Sequence, residues 1–250
     1  MSYTFSLIIK LGITIALAVF LGNGSVVVFN RLPVKWFEDW KDDNSEEERV
    51  LPDRLLQSIA DGRQRITSTP WKVYAIGLFG VTGAFLATRE TLQFSVAVML
   101  VLAILLLMAV ADYLYMIVPD QLIMLLAVSA VGFVGLYENW WEMPAGALVG
   151  FGLSALVWVL GKLIYKKECI GGADIKFYAT MGLVCGRTGI IVIFVLTTIF
   201  TLIHSLYYMF INRGLVKGKE KTSVPMLPSA FIASFLYLVF LWDLLGLINL

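Results

Sequence analysis

Long apolar runs recur from one end of this chain to the other, and they decide what it can fold into. Eight stand out: 6–28, 73–88, 92–112, 120–137, 144–161, 172–186, 189–211 and 228–248. A helix needs roughly 20 apolar residues to cross a bilayer, and most of these runs approach that length. The sixth is the shortest. The chain is 59% hydrophobic and 15% charged over 250 residues, against roughly 25% charged residues in a soluble domain. A soluble enzyme and a disordered chain are excluded on these grounds. A nucleic-acid binder is excluded by a formal net charge of only +1. Because the runs continue to the C-terminus, a one-helix anchor is excluded too. The expected fold is all-α: a polytopic membrane protein of about eight transmembrane helices with one cytoplasmic loop region. Its expected divisions are a first helix over 1–29, the loop region over 30–72, and a body of about seven helices over 73–250.

Orientation follows from the basic residues, which concentrate on the cytoplasmic side of membrane proteins. Threading the eight runs alternately puts sixteen of the 19 Lys and Arg residues on one side. Only Arg89 and Arg187 fall on the other, and Lys10 lies inside the first run. The 30–72 segment is therefore expected in the cytoplasm and both termini outside. That segment holds half of the acidic residues, including Asp42-Asp43 and Glu46–Glu48, which read as a solvated face or a dock for a basic partner. Within it, Leu51 to Gly62 reads as a short amphipathic helix, with Pro52 in its first turn and Gly62 at its C-cap. Trp140 and Trp141 sit where interfacial aromatics belong. The N-terminal run is too long for the core of a cleavable signal peptide. Cys169 and Cys185 are too few for a disulfide framework or a four-cysteine zinc site, and His204, deep in the seventh run, reads as a packing residue.

Carboxylates at membrane depth are costly, so they mark candidate functional sites. Two stand out. Asp112 closes the third run, about 30 Å along a helix from its outer end, which puts it at the cytoplasmic edge of the hydrocarbon. Asp174 opens the sixth run, after Gly171-Gly172-Ala173, and that run also starts on the cytoplasmic side. Two acids from different helices are thus expected at nearly one depth on one face. Like charges a few ångströms apart cannot both stay ionised, so one keeps a proton. The ionised partner can activate water against a peptide carbonyl while the protonated one polarises it. Small residues before Asp174 let backbone approach a substrate or a neighbouring helix. Such acids also serve as helix caps and ion-pair partners.

The local sequences choose between these roles. Ala111-Asp112-Tyr113-Leu114-Tyr115-Met116-Ile117-Val118-Pro119-Asp120 resembles the first aspartate motif of the type IV prepilin leader peptidases, in which Pro follows the aspartate by seven residues. Gly171-Gly172-Ala173-Asp174-Ile175-Lys176 resembles their second motif, G-x-G-D-x-K, with Ala in place of its second Gly. Gly22 to Pro33 is similar to the signature that ends their first span, matching at Gly22, Val27, Val28, Arg31, Leu32 and Pro33. The resemblance covers nearly the whole chain. It implies a GxGD-type aspartyl endopeptidase of the bacterial inner membrane with Asp112 and Asp174 as the catalytic pair. Gly171, Gly172 and Lys176 are then the substrate-binding part of the second motif, although a snorkelling anchor is the ordinary role for Lys176. N-cap is the expected role of Asp120.

The implied substrate is a type IV prepilin or pseudopilin, whose short basic leader is cut off after a Gly, just before an apolar helix lying in the bilayer. Proteolysis is expected to need no cofactor. The resemblance alone implies N-methylation of the new terminus with S-adenosylmethionine. Many bacterial relatives carry two C-x-x-C pairs in the first cytoplasmic loop. No cysteine lies between Asn30 and Lys72, so no metal is expected. The expected partners are the substrate and the lipid bilayer, without nucleic acid, and the oligomeric state is left open. Two rivals from other classes are a proton-coupled transporter, which places its carboxylates near the midplane of repeated halves, and a non-catalytic scaffold for pilus or secretion assembly.

Overall fold

The computed structural model describes residues 2–40, 49–62, 64–166, 171–211 and 224–242. The acidic run at 42–48, Cys169 and the basic cluster of Lys217, Lys219 and Lys221 lie outside the described residues. The structure is helical, and the strand pairing among the described residues is one two-residue antiparallel ladder, β1 (Asp39–Trp40) with β2 (Arg49–Val50). The helices are α1 (Ser2–Arg31), α2 (Asp53–Ala60), α3 (Trp71–Arg89), α4 (Leu92–Tyr115), α5 (Asp120–Ser129), α6 (Glu142–Tyr165), α7 (Gly172–Ile211) and α8 (Leu227–Leu236). They form two compact units, Met1–Glu138 and Asn139–Leu250.

In the first unit α4 is the central element. Sixteen of its 24 residues are buried, as expected of a helix that is apolar on every side. Thr91 caps its start by accepting the Phe94 N–H at 3.3 Å. α1 crosses α3 so closely that a Cβ on Gly22 would stand 2.6 Å from the Ile76 backbone; only glycine permits that approach. Lys10, inside α1, donates to the Glu90 carbonyl at the end of α3 at 2.9 Å, so the amine is carried to a helix end rather than left in the apolar interior. The short helix expected after Leu51 is present as α2. Pro52 is its N-cap residue and Asp61 its C-cap, each one place from the expected boundary, and Gly62 follows in the left-handed region at φ 62°. Leu55 is fully buried, whereas Leu56 and Ile59 face outward.

α5 departs from a plain span. After ten α-helical residues it tightens into a 3₁₀ segment, Ala130–Leu136. There Gly132 lies against Ala97, 3.1 Å from where its own Cβ would be, and its carbonyl accepts from Gln93 Nε2 at 3.1 Å. The tighter winding rises about 2.0 Å per residue rather than 1.5 Å, so Asp120–Leu136 extends for roughly 29 Å.

In the second unit α6 packs against α7 through glycine. A Cβ on Gly146 or Gly182 would land on the other's backbone carbonyl, and one on Gly150 would meet the Tyr178 carbonyl. α7 is not one straight rod. Gly186 has φ 67° and ψ −175°, and the rings of Tyr178 and Phe194 lie 4.9 Å apart. Sixteen residues of straight helix would separate them by about 24 Å. The chain therefore reverses at Gly186, and the two arms of α7 are the sixth and seventh apolar runs. Arg187, just past the turn, forms a two-pronged ion pair with Glu142 at the start of α6, its Nε donating at 3.0 Å. Trp140 and Trp141 stack on each other just before α6.

Five helices among the described residues are long and apolar enough to cross a membrane: Thr4–Arg31, Trp71–Arg89, Leu92–Tyr115, Glu142–Ile164 and Gly172–Phe210. Asp120–Leu136 and Leu227–Leu241 are shorter apolar helices. This is a multi-helix membrane protein. The difference from the expected eight arises at α5 and α8, which are short by residue count, and at α7, which holds two arms.

Candidate active site

Asp112 sits one turn before the end of α4 and is buried, 8% exposed. α4 ends because Met116 turns into the left-handed region at φ 55°, its N–H donating to the Asp112 carbonyl at 2.8 Å. Pro119 then starts α5. The cap position belongs to Pro119, so Asp120 is the first helical residue rather than the N-cap expected of it; an acid there suits the helix dipole instead.

The end of α4 is held by aromatic packing. Tyr115 lies parallel to Phe29 at 6.3 Å and edge-on to Phe37 at 5.1 Å. Arg65 stands over the Phe37 ring at 5.1 Å and donates to the Phe29 carbonyl at 3.3 Å. Burial lowers the Arg65 guanidinium from its ordinary value, with Tyr115 acting in the opposite direction; arginine stays charged regardless. Asn30 exchanges two hydrogen bonds of 2.9 Å with the Ile66 backbone. The 30–72 segment is thus fastened at both ends to the end of α1 that lies beside the end of α4. Sequence reasoning passed over Asn30, Phe37, Arg65 and Tyr115, although the aromatics flanking the first-span signature and the first aspartate motif were a usable signal.

Asp174 belongs to the second unit and is placed locally. It is the third residue of α7, and its Oδ2 accepts the Gly171 N–H at 3.2 Å. This is the reach-back half of a capping box, which holds the carboxylate in the first turn of the helix. Gly171 and Asp174 are therefore brought together. A Cβ on Gly171 would make only an ordinary 3.5 Å contact with that carboxylate, and one on Gly172 would meet nothing within 4 Å. Packing among the described residues does not demand either glycine, and both are exposed. Lys176 is exposed, and its carbonyl accepts from Thr180 at 2.7 Å.

Among the described residues no group of three or more His, Cys, Asp and Glu side chains is arranged to hold a metal ion. A cavity of about 210 Å³ opens in the first unit between α1, α3 and α4, lined by Phe29, Trp71, Tyr74, Leu78, Leu106 and Val110 among others.

Residues 99–206 match the type IV leader peptidase family. This stretch contains both aspartates and all of the second motif. A prepilin leader peptidase/N-methyltransferase of Xanthomonas campestris pv. campestris is 32% identical over 137 residues, which cover 52% of this chain and 44% of that relative. The chain therefore spans less than half the length of this curated relative. No solved structure matches.

Proposed function

We propose that the type IV leader peptidase region at 99–206 makes this chain an intramembrane aspartyl endopeptidase acting on type IV prepilins or pseudopilins. The observation that carries this reading is that the matched region contains the aspartates of both motifs, each set beside a helix terminus: Asp112 enclosed near the end of α4 and Asp174 in the first turn of α7. Asp112 and Asp174 are the proposed catalytic pair. The ionised carboxylate takes a proton from water as the water oxygen adds to the scissile carbonyl carbon, and the protonated one donates to the carbonyl oxygen. Collapse then breaks the C–N bond, and the departing amine takes up a proton. Gly171 and Gly172, exposed and without packing duties among the described residues, are the proposed surface for extended substrate backbone, with Lys176 beside them.

The proposed topology has eight crossings. The two arms of α7 supply two, and α5 with its 3₁₀ extension approaches the roughly 30 Å thickness of hydrocarbon. Sorting of Lys and Arg then sets the aspartates at the cytoplasmic face of a bacterial inner membrane. In the proposed division of labour, 1–29 is the first span, 30–72 the cytoplasmic segment and 73–250 the peptidase body.

N-methylation is a property in the relative's name, and S-adenosylmethionine is the methyl donor that the family resemblance implies. The cavity of the first unit does not fit that molecule. Its walls are almost wholly apolar, whereas the ammonium, carboxylate and sulfonium groups need polar partners. No methylation step is assigned to residues of this chain.

The test is to incubate the purified full chain with a prepilin and follow the shortened product. Wild type removes the leader, while Asp112→Ala and Asp174→Ala abolish removal and still insert in the membrane. An Asp112→Asn protein that processes prepilin at the normal rate overturns the assignment.

A further inference from the structure

Within the α7 hairpin, residues equally distant from the turn lie at the same level. Tyr178 and Phe194, each eight residues from Gly186, meet with their rings tilted at 57° and their centroids 4.9 Å apart, in keeping with that register. Asp174 lies twelve residues before Gly186, and Thr197 and Thr201 lie eleven and fifteen after it. The two threonines therefore bracket the level of Asp174 on the opposite arm. Spaced four apart, they share one face of that arm.

Both hydroxyls are buried; neither makes a hydrogen bond of ordinary geometry among the described residues, and Thr197 Oγ1 has only the Tyr178 hydroxyl beside it as a polar neighbour. A helical threonine has a ready answer to burial, which is to donate to the carbonyl four residues back. Thr198 does so to Phe194 at 2.8 Å, and Thr180 does so to Lys176 at 2.7 Å. Thr197 and Thr201 turn their hydroxyls elsewhere, at a cost that calls for a polar partner. The Tyr178 hydroxyl points toward Thr197, and the charge of Asp174, one turn away on the same helix face, acts on it. The tyrosine is 1% exposed, and its weak contact with Met226 Sδ at 3.7 Å leaves it able to accept a further hydrogen bond.

We propose that Thr197 and Thr201, with the Tyr178 hydroxyl, hold the hydrolytic water at the level of Asp174, making them positioning residues for that carboxylate. This rests on the peptidase reading above. A site inside an apolar hairpin has to import and orient its own water, and a buried water needs two to four polar partners, a role these hydroxyls are proposed to fill.

Thr→Val keeps the shape and removes the hydroxyl, so Thr197→Val, Thr201→Val and Thr197→Ser test the proposal in the full-length protein. Two readings are taken: prepilin cleavage resolved into kcat and KM, and Tm. A hydroxyl bound to water gives up that hydrogen bond when replaced, so each valine variant lowers Tm by about 2–4 °C. The valine variants lower kcat about tenfold with KM unchanged, and Thr197→Ser restores it. A raised Tm overturns the proposal, because it marks a dry, unpaired hydroxyl whose removal stabilises. A lowered Tm with wild-type kcat overturns the positioning role. If the wild type cuts no prepilin, the peptidase reading fails by itself, and the direction of the Tm shift still decides whether water is held.

Discussion

Asp112 and Asp174 reach their places by opposite routes. Asp112 is enclosed by tertiary structure. It lies on a helix buried on most sides, whose end is clamped by Tyr115 against Phe29 and Phe37, residues about 80 positions earlier in the chain. Asp174 is held by its own turn, through a hydrogen bond from Gly171 three residues back. A carboxylate placed by distant packing is only as well positioned as that packing, whereas one placed by a local cap keeps its position wherever the helix begins. The two neighbourhoods should therefore fail differently.

The largest effect is expected at Tyr115. Truncation by Tyr115→Ala removes two ring contacts and leaves a cavity at the end of α4, costing about 3 kcal/mol. The predicted outcome is a clear drop in Tm together with loss of prepilin cleavage. A Tyr115→Ala protein of wild-type Tm would break the contrast, since the enclosure of Asp112 would then not depend on this clamp. An intermediate effect is expected from Asp174→Asn. The amide can still accept from Gly171 but loses the charge favoured at a helix start, so stability falls by roughly 0.5–1 kcal/mol while cleavage disappears. Tm and product formation measured on the same preparation separate these two losses. The smallest effect on stability is expected from Gly171→Ala, whose added methyl makes only a 3.5 Å contact. Tm should stay within about 2 °C of wild type, with KM for prepilin raised. An unchanged KM would remove Gly171 from the proposed substrate surface.

Much of the fold was legible because hydropathy is a local quantity. The boundaries of α3, α4 and α6 follow from apolar runs. The reversal inside α7 was marked by Arg187-Thr188, a polar break between two such runs. Other features were hidden. The 3₁₀ end of α5 arises where Gly132 is drawn against Ala97 and its carbonyl is used by Gln93, contacts no window of sequence contains. Asp120 looked like a cap because it follows a proline at a helix start, but the proline itself takes the cap position. Of the candidate site, Asp112, Asp174 and the second motif were readable from spacing and neighbours. Thr197 and Thr201 were not, because a threonine in an apolar helix ordinarily bonds to its own backbone, and the departure from that habit shows only in the folded hairpin.

The sequence by itself determined that this chain lives in a membrane, roughly where its helices begin and end, and that Asp112 and Asp174 stand beside helix termini. Burial of apolar area and the expense of an ionisable group in hydrocarbon are properties of a segment, so they can be read from that segment alone. The tertiary structure decided which glycines are contact points, which aromatics clamp the end of α4, and which hydroxyls share the level of Asp174. Those outcomes depend on residues far apart in the chain meeting at a few ångströms, and side-chain packing at that range is set by the whole fold rather than by any one stretch of it.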